Sequence, residues 1–181
     1  MRSIADRQLE PSPQLRGQKA KAKIGWIERS KMVQNLYSKK VLQYFLHPKN
    51  MGKIKNPDGV ATVGNPVCGD IARYYIKIKT KKVKGKNIEY LDDIKVETLG
   101  CGAAIATSSM ATEIIKGKPL KKALELTNKA ITEALGGLPP IKTHCSLLAE
   151  EGIKKAIENY QKKVKAEGFP SGESKKVKKG D

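Results

Sequence analysis

The only thiols in the 181-residue chain are three cysteines, set far apart in short segments bordered by turn-forming residues. The segments are Asn65-Pro66-Val67-Cys68-Gly69-Asp70, Leu99-Gly100-Cys101-Gly102-Ala103 and Lys142-Thr143-His144-Cys145-Ser146. A buried structural cysteine sits within an apolar periodic run, and none of these does, so each reads as a loop residue. Glycine on both sides of Cys101 lets the backbone wrap closely around something. Cys101 and Cys145 each stand at a predicted helix start, where the partial positive charge favours thiolate over thiol. Asp70 follows Cys68 by two residues, so a carboxylate and a thiolate can point into one site. His144, beside Cys145, offers an imidazole. Three thiolates with one or two harder ligands suit zinc or an iron–sulfur cluster. There is no Cys-x-x-Cys pair, so spacing alone leaves free thiols open beside the metal site. Other candidates carry less. His47 precedes Pro48 at a helix end, a capping or surface position. Met32, Met51 and Met110 read as core filler or surface. Asp92-Asp93 reads as a turn or solvated edge, and the lysine runs at 81–86 and 175–179 as solvated.

The elements that must position these residues are constrained by composition. Hydrophobic residues make up 39% and aromatics 5%, enough for one domain with a modest core. No apolar run approaches the roughly 20 residues of a membrane span. Three cysteines are too few for a disulfide scaffold and fit a reducing compartment. The net charge of +18 points toward nucleic acid or another acidic partner. Half of that excess lies in residues 1–31 and 161–181, which lack apolar periodicity and read as basic tails. The N-terminal tail has no apolar h-region, which excludes a secretory signal. Arg2, Arg7 and Arg16 allow a transit peptide, but Asp6, Glu10, Pro11 and Pro13 favour an ordinary basic extension. A nucleic-acid module would interleave aromatics with the basic residues for stacking. With aromatics scarce and much of the charge in tails, that class is disfavoured.

Between the tails, residues 30–46 place Val33, Leu36, Tyr37, Val41, Tyr44 and Phe45 at helical spacing, ending before Pro48. A strand is expected at 60–63. Residues 73–79 alternate, with Tyr74, Ile76 and Ile78 opposite Tyr75, Lys77 and Lys79. Residues 88–98 alternate less cleanly, and the stretch 81–87 between them is a turn around Gly85. Helices follow at 103–116, 120–135 and 146–164, with an extended Pro-Pro linker at 138–143. Strands first and helices later predict an α+β fold, a small antiparallel sheet of about three strands with helices packed on one face. There is no internal repeat and no glycine-rich phosphate loop.

At the three cysteine segments the chain resembles a known family, the U-type iron–sulfur cluster assembly scaffold, also found as the N-terminal domain of the nitrogen-fixation scaffold. The resemblance rests on four motifs in order: Tyr37-Ser38-Lys39-Lys40-Val41, the Cys68 segment, Gly100-Cys101-Gly102-Ala103-Ala104-Ile105-Ala106-Thr107-Ser108-Ser109, and Leu138-Pro139-Pro140-Ile141-Lys142-Thr143-His144-Cys145-Ser146. Ile115-Lys116-Gly117-Lys118 stands where the family has Val-Lys-Gly-Lys. The match covers about residues 32–165, leaving tails at 1–31 and 166–181. Departures are Ile141, where valine is usual, and Gly136-Gly137, where many members have Glu-Leu. The sulfur-mobilisation relative of this fold has an insertion before its last cysteine and lacks Leu-Pro-Pro, so the scaffold type is favoured. Only a basic tail follows the domain, which sets the chain apart from the longer multidomain form.

The resemblance implies a non-enzymatic scaffold. Cys68, Cys101 and Cys145 would be thiolate ligands of a transient [2Fe–2S] cluster, with Asp70 the labile oxygen ligand and His144 an alternative ligand. The same site would hold zinc or an iron ion when no cluster is present. Cys145 would accept a persulfide from a cysteine desulfurase. Leu138, Pro139, Pro140, Ile141 and Lys142 would bind a dedicated Hsp70-type chaperone and its J-protein co-chaperone. Iron or electron donor proteins and apo iron–sulfur acceptors would complete the partner set, and a homodimer around the cluster stays open. The compartment implied is the cytoplasm, or the mitochondrial matrix in a eukaryote. The alternative is a zinc-binding sulfur carrier of the same fold.

Overall fold

The structure is a computed structural model that describes residues 36–166 apart from 67 and 84. The expected tails, and the start of the first expected helix, lie outside the described residues. The described elements run α1 (Lys39–Leu46), β1 (Gly59–Asn65), β2 (Asp70–Val83), β3 (Lys86–Leu99), α2 (Gly102–Ile115), α3 (Leu120–Leu124), α4 (Asn128–Ala134), a 3-10 turn (Pro140–Lys142) and α5 (Thr143–Ala166). The sheet is antiparallel in the order β1-β2-β3, so the fold is α+β as expected.

Alternation decides which side of the sheet is covered. Ala61 and Val63 of β1, Ala72, Tyr74 and Ile76 of β2, and Leu91, Ile94 and Val96 of β3 are buried on one side. There α5 crosses β1 and β2 while α2 lies against β3. On the other side Arg73 is stacked over the Tyr75 ring, 5.4 Å from its centre. The uneven alternation of β3 has a cause. The register shifts between Lys77 and Ile78, pairing Lys77 with Asp93 and Ile78 with Leu91, so Asp92 is the extra residue of a bulge. Asp92-Asp93 is therefore a strand irregularity rather than a turn. Its carboxylates pair with Lys79 at 2.9 Å and Lys116 at 2.6 Å. The hairpin turn is also tighter than expected, since Val83 already pairs with Lys86 and Gly85 adopts φ +76°. The free edge of β3 is covered: Val96 exchanges backbone hydrogen bonds with Asn50 and Gly52, and Leu91 with Gly117 and Lys118.

Three helix limits differ from the sequence expectation, each because of a local cap or turn. Ser38 caps α1, its Oγ accepting from the Val41 N–H at 3.1 Å and donating to the Leu135 carbonyl. The predicted helix over 120–135 is two helices, because Thr127 turns extended and caps α4 through the Ala130 N–H. The predicted linker at 138–143 instead closes into the 3-10 turn, so α5 begins at Thr143 and carries Cys145 in its first turn.

Close backbone approach fixes α5 on the sheet. A Cβ on Gly152 would lie 2.4 Å from the Tyr74 ring, and one on Gly59 would lie 2.4 Å from the Ala156 carbonyl oxygen. The Tyr74 ring is fully buried and its hydroxyl is 3.1 Å from Ser108 Oγ, so the phenol is satisfied inside the core.

Candidate metal centre

Three chain segments meet at one end of the sheet. The β1–β2 turn carries Cys68 and delivers Asp70 as the first residue of β2. Gly69 adopts φ +73° there and its N–H bonds the Asn65 carbonyl, a left-handed position suited to glycine. The end of β3 passes through Gly100 to Cys101, the N-cap of α2. The 3-10 turn feeds α5, whose first turn brings His144 and Cys145.

Asp70 lies at the centre and is only 2% exposed. Its Oδ1 accepts the Cys101 N–H at 3.1 Å. Its Oδ2 lies 3.9 Å from Cys101 Sγ and 3.6 Å from Cys145 Sγ, and the two sulfurs are 3.8 Å apart. Cys101 and Cys145 are free thiols, not a disulfide. A second group, Cys68, Asp70 and His144, also has ligand atoms within 4.8 Å of one another. The two groups share Asp70. His144 Nε2 is buried and makes no hydrogen bond among the described residues, although an imidazole nitrogen out of water needs a partner or a metal. A soft thiolate set joined to one carboxylate and one imidazole is a donor set that zinc and iron accept.

The structure thus brings Cys68, Asp70, Cys101, His144 and Cys145 to one place. Two expectations about the cysteines change. Cys145 is 1% exposed and lies inside a helix on the small cluster with Ala103 and Ala104, so it is not a loop residue. The helix start does not lower its pKa. Burial pushes the thiol well up, and Cys101 and Asp70 beside it push it the same way. Its carbonyl accepts from Thr107 Oγ1 at 3.2 Å, tying α5 to α2. Cys68 is the exposed thiol, 3.9 Å from the Asn65 carbonyl.

Two further side chains belong to the site's surroundings. Tyr37, noted in the sequence for its helical spacing and as the first residue of a family motif but given no site role, packs against the cluster of Ala103, Ala104 and Cys145, and burial raises its phenol pKa. Its position just before the Ser38 cap was the available signal. Lys142, expected in a chaperone motif, has its ammonium pKa raised chiefly by charge at Cys101, with Tyr37, Cys145 and Asp70 adding to it. In that motif Leu138 is partly buried against the core and Ile141 is 76% exposed. His47 is an exposed C-cap of α1. Met110 fills the core and Met51 packs against it.

Known proteins resemble this chain in sequence and in fold. Residues 36–167 match the NifU-like N terminal domain family. The chain is 52% identical over 128 residues to the iron-sulfur cluster assembly scaffold protein IscU 1 of Archaeoglobus fulgidus, covering 71% of this chain and 78% of that one. It is 44% identical over 130 residues to the scaffold protein IscU of Azotobacter vinelandii, covering 70% and 95%. Among solved structures, a candidate iron–sulfur cluster assembly scaffold of the SUF system from Fervidobacterium islandicum aligns with TM-score 0.53 at 24% identity, covering 67% of this chain and 96% of that one, which bears on the fold. No helix among the described residues is long and apolar enough to cross a membrane. With 36–167 matched and relatives this similar across most of their length, the chain belongs to the NifU-like N-terminal domain family.

Proposed function

We propose that this protein is a scaffold, not an enzyme, on which an iron–sulfur cluster is assembled and then handed to acceptor apoproteins. The observation that carries this is the buried Asp70 carboxylate set against two thiols 3.8 Å apart, with Cys68 and His144 in reach. A two-iron cluster takes four protein ligands. Cys68, Cys101 and Cys145 would supply three, with Asp70 or His144 the fourth. A carboxylate is a hard ligand on soft cluster iron, which makes its bond the exchangeable one. That favours a [2Fe–2S] cargo, loosely enough held to be passed on. The names of the relatives support the scaffold role.

Assembly calls for partners. In the sulfur step the Cys145 thiolate would attack the outer sulfur of a desulfurase persulfide, taking that sulfur and releasing the desulfurase thiolate. Each sulfane sulfur then needs two electrons to become sulfide, so an electron donor protein is required, along with a source of iron. Because Cys145 is buried and its thiol pKa raised, docking must uncover it first. An Hsp70-type chaperone with its J-protein would bind Leu138, Pro139, Pro140, Ile141 and Lys142. Leu138 packs on the cluster that holds Cys145, so drawing this segment out would loosen the ligand. Cytoplasm or mitochondrial matrix fits this chemistry. The domain would span 32–165, between basic tails.

Anaerobic reconstitution with ferrous iron, cysteine and a desulfurase tests the reading. The expected result is a visible iron–sulfur spectrum with two irons and two sulfides per cluster. Replacing Cys68, Cys101 or Cys145 with serine should abolish a stable cluster, because a neutral hydroxyl is a poor substitute for thiolate. A full, stable cluster on Cys101→Ser would remove that residue from the ligand set. The second reading, a zinc-binding sulfur carrier, is favoured by the same donor set. It predicts zinc, no visible band, and persulfide on the protein.

A further inference from the structure

We infer that Gly100 is the positioning residue for Asp70, holding open the space that lets its carboxylate sit between the thiols. This rests on the metal-centre reading above. Gly100 is not in the left-handed region, so its backbone conformation does not itself demand glycine. What demands it is room. A Cβ at position 100 would lie 2.5 Å from Asp70 Oδ1, 2.8 Å from its Cγ and 3.1 Å from its Cβ. The first two are closer than non-bonded carbon and oxygen can approach, so a methyl there must displace the carboxylate.

Asp70 has little freedom to yield. It is 2% exposed, and it is fixed at its Cα by the β1 pairing with Asn65. Oδ1, the atom a methyl would strike, is the one that accepts the Cys101 N–H. Oδ2 is the one that faces both sulfurs. Displacing the group would break the first contact and draw the second away from the thiol pair. All three cysteines and His144 would keep their own side chains. Gly100→Ala should therefore resemble Asp70→Ala at the metal while leaving every ligand in the sequence. Glycine flanks Cys101 on both sides, but the second flank meets different atoms: a Cβ on Gly102 would lie 3.3 Å from the Phe45 ring, away from the carboxylate.

The test uses the full chain, metal-free and reduced, titrated anaerobically with cobalt(II) and read by visible absorption. Wild type, Gly100→Ala, Asp70→Ala and the double variant are compared, with far-UV circular dichroism as the folding check. Gly100→Ala should bind cobalt about 10–100-fold more weakly than wild type, the range for losing a group that orients a ligand. Its bound spectrum should match that of Asp70→Ala, a signature that simple destabilisation would not give. The double variant should bind within about twofold of Asp70→Ala, because residues acting through one contact are not additive. Wild-type affinity and spectrum in Gly100→Ala would overturn the inference, and so would losses that multiply in the double variant. If Gly100→Ala alone fails to fold, a folded double variant with the affinity of Asp70→Ala supports the steric account, and an unfolded one overturns it. Absence of cobalt binding by the wild type would instead overturn the metal-centre reading.

Discussion

Cys145 shows how burial changes what a thiol does. Its pKa is raised first by loss of water and then by Cys101 and Asp70. In the unfolded chain a cysteine titrates near 8.5. Between that value and the higher folded one, the unfolded chain binds fewer protons than the folded protein, so stability falls as pH rises. The metal-free protein should lose thermal stability as pH goes from about 8 to 10, and Cys145→Ala should flatten that slope. A melt series for both proteins checks it, and an unchanged slope would show that the thiol is not the cause. Metal uptake must release the proton, so it should strengthen as pH rises. The exposed Cys68 should react with iodoacetamide well before Cys145, which peptide mapping would show. For Asp70, removing the hard ligand should slow transfer of a cluster to an apo-acceptor and prolong its life in air. Faster loss would mean that Asp70 only closes the β1–β2 turn. That these side chains converge was foreshadowed in the sequence, because Cys68 and Cys101 stand beside glycines and outside any apolar period. The burial of Cys145 was not, because nothing in Leu138-Pro139-Pro140 announces that the chain turns early and starts a helix at Thr143.

At the scale of the element, what could be read were the periods, and what could not were the interruptions. Tyr74 and Ile76 face the core as their alternation requires. The Asp92 bulge flips the phase of β3, so Leu91 and Ile94 both point inward although their spacing forbids it in a regular strand. A helical pattern through Thr127 likewise hid a break, because a cap residue in the interior of an apolar period looks like any polar surface position. Two substitutions test these contacts. Ser38→Ala removes the Val41 cap and the bond to the Leu135 carbonyl and should cost about 1–2 kcal/mol. Gly152→Ala is a contest between two effects. Alanine is favoured over glycine inside a helix by about 1 kcal/mol. Against that, its methyl would lie 2.4 Å from a fully buried Tyr74 ring and 2.9 Å from a Val63 methyl, contacts that no rotamer change relieves. Overpacking typically costs 1–3 kcal/mol and sometimes more, so the clash should win and the melting temperature should fall by several degrees. A neutral or stabilised Gly152→Ala would mean that α5 can lift from the sheet.

For the whole molecule, the question is how much of the chain the scaffold needs. Among the described residues, every member of the main buried cluster lies between Val41 and Ile157, drawn from the three strands and five helices described. The site lies inside the same span, from Cys68 to Cys145. The family match, 36–167, has nearly the same limits. What lies beyond is rich in charge: residues 1–35 and 168–181 carry 7 of the +18 excess. Charge of this kind draws in acidic partners and raises association rates, and its effect fades with salt. We therefore expect a chain lacking residues 1–30 and 168–181 to keep its melting temperature within about 2 °C, since a single kcal/mol shifts a domain of this size by roughly that much or more. Cluster yield in reconstitution should also be unchanged. Cluster transfer to an acidic acceptor should slow at low ionic strength and converge with the full chain at high salt. A large drop in melting temperature would show that one of the ends docks on the core. Equal transfer rates at every salt concentration would show that the basic ends do not steer partners.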